Sequence, residues 1–371
     1  MSRRKKHKDA APPEAGVPSA WAPARLAAAA TLAWTGWTLY NYHLKQAGLD
    51  AEAWKRFAVL LGALPGLLAG RLGLALVLSA AIWILSWSIG RAVLRRLGLG
   101  DLASWEGALL GAGLGGGFLS ATLLILGLLG FWRVAALRTL FYGALAAVAA
   151  AAWRKRESGA APCPVGPPCR TPLGSALASG AAPAEPGRLE PAPRLGALEW
   201  AALALALCAA GMNLIAVCAP EIFYDSLVYH WALPRLYLLK GRIVATPENL
   251  FSGMPLGLQM QFGLAFALAD ETLAKLIHLS FGVGTALALW NWGRCFASGR
   301  VGLLAALIFY LCPMTLYASW SGGIDLAASF YSMLAVHALC RSLGSQRTRE
   351  WAVASGLLLG FAMSVKYNVF P

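Results

Sequence analysis

Long apolar runs alternate along the chain with short stretches that carry most of its charge. Five runs contain no charged residue and come close to the roughly 20 residues that a helix needs to cross a hydrocarbon core. They are 26–44, 72–90, 107–132, 200–220 and 301–324. Shorter runs, whose flanking Arg or Lys side chains can extend to the interface, are 139–153, 326–340 and 351–365, and 276–293 completes the set. The pattern predicts an all-α, polytopic bundle of about nine transmembrane helices.

Composition agrees with a membrane location. Hydrophobic residues make up 58% of the chain and charged residues only 13%, which leaves too little polar surface for a water-soluble protein of 371 residues. A net charge of +14 would suit nucleic acid, but the basic residues cluster between the apolar runs. The positive-inside rule places such clusters on the cytoplasmic side of a membrane. We therefore expect membrane lipid, and no nucleic acid, as a partner.

The basic clusters also orient the predicted helices. The basic segment 3–8 predicts a cytoplasmic N-terminus. Successive spans then bring Arg91, Arg154, Arg294 and Arg341 back to the same side. The segment that follows 200–220 consequently faces outward.

A proline-rich stretch divides the chain into two units. Residues 154–196 hold nine of the 20 prolines, with Gly, Ala and Ser between them. This composition, without apolar periodicity, is typical of a disordered linker, which the topology places in the cytoplasm. The linker separates an N-terminal unit of four spans, 1–153, from a rear unit, 197–371.

Two further apolar segments do not fit the alternation of spans. If 57–70, which is broken by Pro65, or 249–269 crossed the membrane, basic clusters would lie on the outer side. Gln259 and Gln261 are also costly at mid-membrane unless they are buried against protein. We predict that both segments lie against the bilayer or re-enter it.

The segment after the span 200–220 is dense in polar and aromatic groups. Its apolar positions recur at intervals of four, three and four residues, which predicts an interfacial helix with its apolar stripe on the membrane. These positions are Leu227, Trp231, Pro234 and Leu238. On such a helix Asp225, His230 and Arg235 stay accessible.

Two acids are candidates for catalysis. Asp225 lies at the expected mouth of a membrane cavity, where partial desolvation raises the basicity of a carboxylate that accepts a proton from a hydroxyl. Asp325 lies between two spans on the same outer side, so the two carboxylates can share a site. The alternative for each is a helix cap, because Asp is a common N-cap residue.

Cations and histidines supply the other candidates. Three cations on the outer side run against the positive-inside trend, and they either hold a lipid phosphate or belong to a solvated loop. They are Arg235, Lys240 and Arg242. His230 and His278 lack the spacing of a metal site, and His337 is expected to pack against neighbouring helices. No metal site follows from these residues.

Several of these residues occur in a recurring order in the rear unit. The order is Asp225, Tyr229-His230, Pro234, Phe251-Ser252, Pro255, Pro313, Gly323-Ile324-Asp325, 356–360 and Lys366-Tyr367. Over about 197–371 this pattern resembles the polytopic glycosyltransferases of the GT-C fold. The resemblance is to the bacterial branch related to protein mannosyltransferases and aminoarabinose transferases. Ser226 departs from the family, whose members often carry a second acid at that place.

The resemblance implies a multi-pass enzyme of the plasma (inner) membrane. It would transfer a sugar, with inversion, from a polyprenyl-phosphate-linked donor to an acceptor on the outer face, which is a lipid, a glycan or a protein. It implies no certain cofactor and leaves a divalent metal open. Family chains usually continue with further spans, so we expect the rear unit to be C-terminally incomplete.

The resemblance also implies roles for the candidate residues. Asp225 would be the catalytic base, and Asp325 would share its site as an acceptor or a metal anchor. The leaving phosphate needs cationic stabilisation, and the other residues would contact it, the sugar or the acceptor. They are Tyr229, His230, Arg235, Lys240, Arg242 and Lys366.

Two alternatives come from other functional classes. One is a transporter or flippase of a lipid-linked precursor, and the other is a non-catalytic membrane scaffold. Transporters usually show charges at mid-membrane or broken helices in paired halves. Here the acids lie at the ends of predicted spans and no internal repeat is visible, which favours the transferase.

Overall fold

The computed structural model describes residues 22–38, 70–102, 104–157 and 195–369, together with isolated positions between 40 and 66. The basic segment 3–8, most of the linker 154–196 and most of the segment 57–70 lie outside the described residues. The described part of the chain is helical and contains no β-strand. The predicted all-α class is therefore confirmed.

Twelve α-helices follow one another in the described residues. They are α1 (Ala22–Thr38), α2 (Arg71–Arg96), α3 (Ser104–Leu128), α4 (Val134–Glu157), α5 (Ala197–Ala216), α6 (Ala232–Lys240), α7 (Gly257–Leu268), α8 (Glu271–Phe296), α9 (Gly299–Tyr310), α10 (Pro313–Ser319), α11 (Asp325–Leu343) and α12 (Thr348–Val365). Three short turns complete the set: a π-helical turn at Ser226–His230 and 3-10 turns at Leu250–Gly253 and Tyr367–Val369.

Six of these helices are long and apolar enough to cross a membrane, so the chain is a multi-pass membrane protein. They are α2, α3, α4, α5, α8 and α11. The pair α9 and α10 would make a seventh span if the two are counted together. The predicted number of about nine spans also counts α1 and α12. Among the described helices, these two do not meet the length, apolarity and charge expected of a span.

The predicted span in the run 301–324 is broken rather than continuous. The axes of α9 and α10 differ by 66°. Pro313 begins α10, and Cys312 before it is extended, with φ −61° and ψ 129°. Proline lacks the N–H that would continue the helix, and it disfavours helical geometry in the preceding residue. The apolar run therefore folds as two helices.

Helix α7 lies inside the bundle, in contact with α3, α4, α6, α8 and α12. It has only 12 residues, fewer than a span needs, in agreement with the prediction that 249–269 does not cross the membrane. It does not lie against the bilayer, however, because ten of its residues are buried in protein. The amide of Gln261 donates to the carbonyl of Gly116 at 3.1 Å and to the hydroxyl of Ser120 at 2.9 Å. These bonds satisfy a polar group that lipid could not.

The front and rear units share one hydrophobic core, which runs from Leu72 in α2 to Val365 in α12. Ion pairs join the two units at both ends of the bundle. At one end the Nε atom of Arg71 lies 2.6 Å from Asp270. At the opposite end Arg347 pairs with Asp101 at 2.7 Å. The units separated by the linker along the chain are therefore packed together in space.

A buried polar cluster lies at the end that contains the pair between Asp101 and Arg347. Glu106 of α3 contacts the Nε2 atom of His337 at 2.7 Å and the Nε atom of Arg341 at 2.9 Å. His337 also packs against Phe296 and Trp351. The prediction that His337 packs against neighbouring helices is confirmed.

Glycine allows α2 and α3 to approach closely. A Cβ atom at Gly115 would lie 1.6 Å from the carbonyl oxygen of Ser86, and one at Gly90 would lie 1.8 Å from that of Gly111. Small residues four apart on both helices are the usual device for bringing membrane helices into backbone contact.

Replacement of Gly115 by alanine should separate these two helices. We expect a loss of roughly 1–3 kcal/mol in the free energy of unfolding, because the added methyl meets backbone rather than a mobile side chain. Thermal unfolding in detergent measures the loss. Gly143→Ala in α4 is the matched control, since nothing lies within 4 Å of its Cβ position. Equal stability of the two variants would contradict the proposed contact.

Candidate functional site

The loop between α5 and α6 is held by the carboxylate of Glu221, which is almost fully buried. Its Oε1 atom accepts from the backbone N–H groups of Ile222 and Phe223, both at 2.9 Å. Its Oε2 atom accepts from the N–H of Gly322 at 2.6 Å. This carboxylate therefore joins the turn that leads to Asp225 with the turn that leads to Asp325. We call the end of the bundle that contains both turns the acid end.

Asp225 precedes the π-helical turn Ser226–His230 and is half-buried. Its side chain forms no capping hydrogen bond, so the structure does not support the alternative of a simple helix cap. Tyr229 lies beside it. Burial, then the charge and hydrogen bond of Asp225 and the charge of Asp325, raise the pKa of Tyr229 to about 12. Tyr229 therefore keeps its proton and lies within the field of both acids.

An aromatic stack fixes the ring of Tyr229. Its ring lies 4.5 Å from that of Phe251, with 18° between their planes. The segment that carries Phe251 is tied to the turn by Asn249, whose side-chain amide donates to the carbonyl of Val228 at 2.9 Å. The 3-10 turn Leu250–Gly253 thus acts as a support for Tyr229.

Asp325 is the first residue of α11, and its Oδ1 atom lies 2.5 Å from the Nζ atom of Lys366. No side-chain bond caps the helix, so its carboxylate is engaged by Lys366 instead. His278 of α8 holds this turn. Its Nδ1 atom lies 3.0 Å from the carbonyl oxygen of Ser321, and its Nε2 atom accepts from the N–H of Leu326 at 3.2 Å.

His230 is buried, which corrects the prediction that it stays accessible; only 2% of its surface is exposed. Its Nδ1 atom lies 3.0 Å from the Nε2 atom of Gln259 in α7. Burial, followed by the neighbouring His278, lowers the pKa of His230 to about 3, and the charge of Lys366 acts in the same direction. His230 is therefore a neutral hydrogen-bonding group at physiological pH.

The apolar stripe of this segment also differs from prediction. The chain is helical there, but Trp231 and Pro234 are buried in protein rather than laid on the membrane. The ring of Trp231 packs edge-on against Phe266, and a Cβ atom at Gly322 would lie 2.3 Å from it. Inside the bundle the segment packs against apolar side chains of α7, among them Phe262 and Phe266. Of the predicted stripe, Leu227 is the member that is exposed.

The three cations of the loop do not converge on the acids. The guanidinium of Arg235 lies 4.3 Å from the ring centre of Phe266 and 3.9 Å from Glu271. Lys240 and Arg242 are exposed, and neither forms an ion pair within the described part of the chain. Of the predicted cations, Lys366 is thus the one that pairs with a predicted acid, Asp325.

The two histidines of the acid end bond other groups of the protein. Both ring nitrogens of His278 are engaged by backbone groups of the turn before α11. Across the described ranges, no three His, Cys, Asp or Glu side chains are arranged to hold a metal ion.

No family model, curated protein or solved structure matches this chain. The likeness to GT-C glycosyltransferases therefore rests on the motifs of the sequence, and the activity it implies remains a hypothesis.

Several residues that build the site were not predicted from the sequence. Glu221, Gln259 and His278 each bond a backbone or side-chain group far along the chain. A weak signal existed for Glu221, since it is a charged residue directly after an apolar run. No signal pointed to Gly322 as its partner.

Acid should destabilise the fold through His230. In the unfolded chain the histidine has a pKa near 6.5 and takes up a proton below that pH. In the folded chain the pKa of His230 is about 3, so the ring stays neutral until about that pH. Stability is therefore complete above the unfolded pKa and falls as pH drops below it, by up to about 1.4 kcal/mol per pH unit. Thermal unfolding in detergent between about pH 7 and pH 4 measures this slope. His230→Gln should make this slope shallower, and an unchanged slope would show that His230 does not titrate in this way.

Proposed function

We propose that this chain is a membrane glycosyltransferase. It moves a sugar, with inversion, from a polyprenyl-phosphate-linked donor to an acceptor on the outer face of the plasma membrane. The observation that carries the proposal is that Tyr229 lies within the electrostatic influence of both Asp225 and Asp325, and that Asp325 pairs with Lys366. These groups come from three separate segments of the chain. The order of motifs in the rear unit supports the same activity.

Asp225 is the base in this proposal. Asp325 is paired with Lys366, whereas no cation of the described residues forms an ion pair with Asp225. Asp225 is therefore the carboxylate that is free to take a proton from an acceptor hydroxyl. The acceptor oxygen bonds to the anomeric carbon as the bond from that carbon to the phosphate oxygen breaks on the opposite face. The bonding pair leaves with the phosphate, and the proton goes to Asp225.

Tyr229 and Lys366 orient the reactants. Tyr229 remains protonated at any working pH, so its hydroxyl can donate a hydrogen bond to Asp225 or to a sugar oxygen. Lys366 is about one-third exposed beside Asp325 and supplies positive charge where a leaving phosphate would develop its own negative charge. Arg235 already contacts Phe266 and Glu271, so we assign the phosphate contact to Lys366.

One observation favours transport of a lipid-linked precursor instead. The bend of 66° between α9 and α10 is a broken helix, a feature that transporters use to build binding sites within the membrane. This second candidate predicts movement of the donor across vesicles without transfer of its sugar.

Asp225→Asn should abolish most of the transfer. The variant keeps the size of the side chain but cannot accept the proton, so we expect roughly a 10²- to 10⁴-fold lower rate. The measurement uses purified protein and a radiolabelled polyprenyl-phosphate sugar, with product formation read after extraction. Asp101→Asn, at the opposite end of the bundle, is the matched control and should retain the wild-type rate.

Undiminished transfer by the Asp225→Asn variant would contradict the assignment of Asp225 as the base. Asp325→Asn should also lose activity, because it releases Lys366 and alters the same site. Flux of the donor across reconstituted vesicles, with no sugar transfer by the wild-type protein, would support the transporter instead.

A further inference from the structure

Glu221 uses its two carboxylate oxygens on two different turns. The Oε1 atom takes the N–H groups of Ile222 and Phe223, and the Oε2 atom takes the N–H of Gly322, 101 residues further along. Asp225 lies four residues after Glu221, and Asp325 lies three residues after Gly322. A single carboxylate therefore accepts hydrogen bonds from the backbone of both acid-bearing turns.

A buried lysine holds this carboxylate in place. The Nζ atom of Lys275, in the first turns of α8, lies 3.7 Å from the Oε2 atom of Glu221 and donates to the carbonyl of Ala219 at 2.9 Å. The side chains of both residues are at most 1% exposed. Removal of water from two charges is costly, and such pairs persist where their remaining hydrogen bonds are satisfied. Here every oxygen of Glu221 is occupied by a donor.

Other contacts complete the frame around the two turns. His278 binds the backbone on both sides of Gly323, and the ring of Trp231 lies against Gly322. The first contact fixes the Asp325 turn against α8, and the second packs it against the residue that precedes α6. Glu221 is different, because its hydrogen bonds join the backbone of one turn to the backbone of the other.

We propose that Glu221 is a positioning residue that sets the spacing between Asp225 and the pair formed by Asp325 and Lys366. It touches no substrate and acts through the backbone of the two turns. The kinetic consequence rests on the proposed function, whereas the structural consequence does not. When Glu221 is altered, the Asp325 turn should move away from Lys366 while the bundle stays folded.

The test measures the reactivity of the Lys366 amine in the purified full-length protein. Limiting amounts of an acetylating reagent, followed by mass spectrometry of peptides, give the acetylation rates of Lys366 and of the exposed Lys240 as an internal reference. Asp325→Asn removes the partner of Lys366 outright and sets the upper limit of its reactivity. Glu199→Gln is the matched control, because Glu199 is a buried acid in an ion pair with Arg300 at the opposite end of the bundle.

Glu221→Gln places an amide N–H₂ group against backbone N–H donors, so one of the two turns must lose its acceptor. We expect acetylation of Lys366 to become about threefold faster or more, in line with the loss of part of a charge-assisted hydrogen bond. The rates at Lys240, and those in Glu199→Gln, should stay at wild-type values. Because the single variant removes the charged partner of the buried Lys275, the double variant Glu221→Gln/Lys275→Met is measured beside it and decides the outcome if the single variant does not fold.

Separate measurements of kcat and KM distinguish a positioning role from a simple loss of stability. In the folded variants kcat should fall about tenfold or more, while KM for the lipid-linked donor changes little, because displaced catalytic groups affect the transition state more than binding. Wild-type acetylation of Lys366 in the folded variants would overturn the proposal. If the wild-type protein transfers no sugar, the proposed function fails, and the acetylation rates still decide the role of Glu221.

Discussion

The need to satisfy polar groups inside an apolar bundle governs the arrangement of this protein. Lipid offers no hydrogen bonds, so the hydrogen bonds that stabilise buried polar side chains come from within the protein. Helix α7 shows the constraint most directly. The side-chain N–H₂ group of Gln261 bonds Gly116 and Ser120 of α3, and that of Gln259 bonds His230. These bonds place a short helix at the centre of the bundle and draw the loop after α5 onto it, although that loop begins as a surface segment.

The same constraint builds the acid end. The turn that leads to Asp225 and the turn that leads to Asp325 both carry backbone N–H groups without helical partners, and the carboxylate of Glu221 accepts from both. His278 then bonds the start of α11. The carboxylate of Asp325 stays exposed, and Asp225 is half-buried. A chemically useful cluster thus follows from satisfying the backbone beneath it.

Features with a local cause could be predicted from the sequence, and features that depend on distant contacts could not. Charge-free runs predicted α2, α3 and α8, because length and apolarity alone decide whether a helix suits a membrane. Pro313 was a local sign that the helix breaks before α10, but the charge-free run around it predicted one continuous span. The burial of His230 depends on Gln259, 29 residues away. Apolar spacing alone wrongly predicted that the apolar stripe of this segment lies on the membrane. The contacts of Arg235 with Phe266 and Glu271 also depend on distant parts of the chain and had no signal in the sequence.

The proposed chemistry is tested most directly by the lipid extract of cells that lack this chain. If Asp225 and its neighbours transfer a sugar from a lipid-linked donor, one envelope glycoconjugate should lack that sugar and the unused donor should accumulate. Return of the wild-type gene should restore the glycoconjugate, and return of the Asp225→Asn variant should not. An unchanged glycoconjugate profile, or full restoration by the Asp225→Asn variant, would contradict the proposed function.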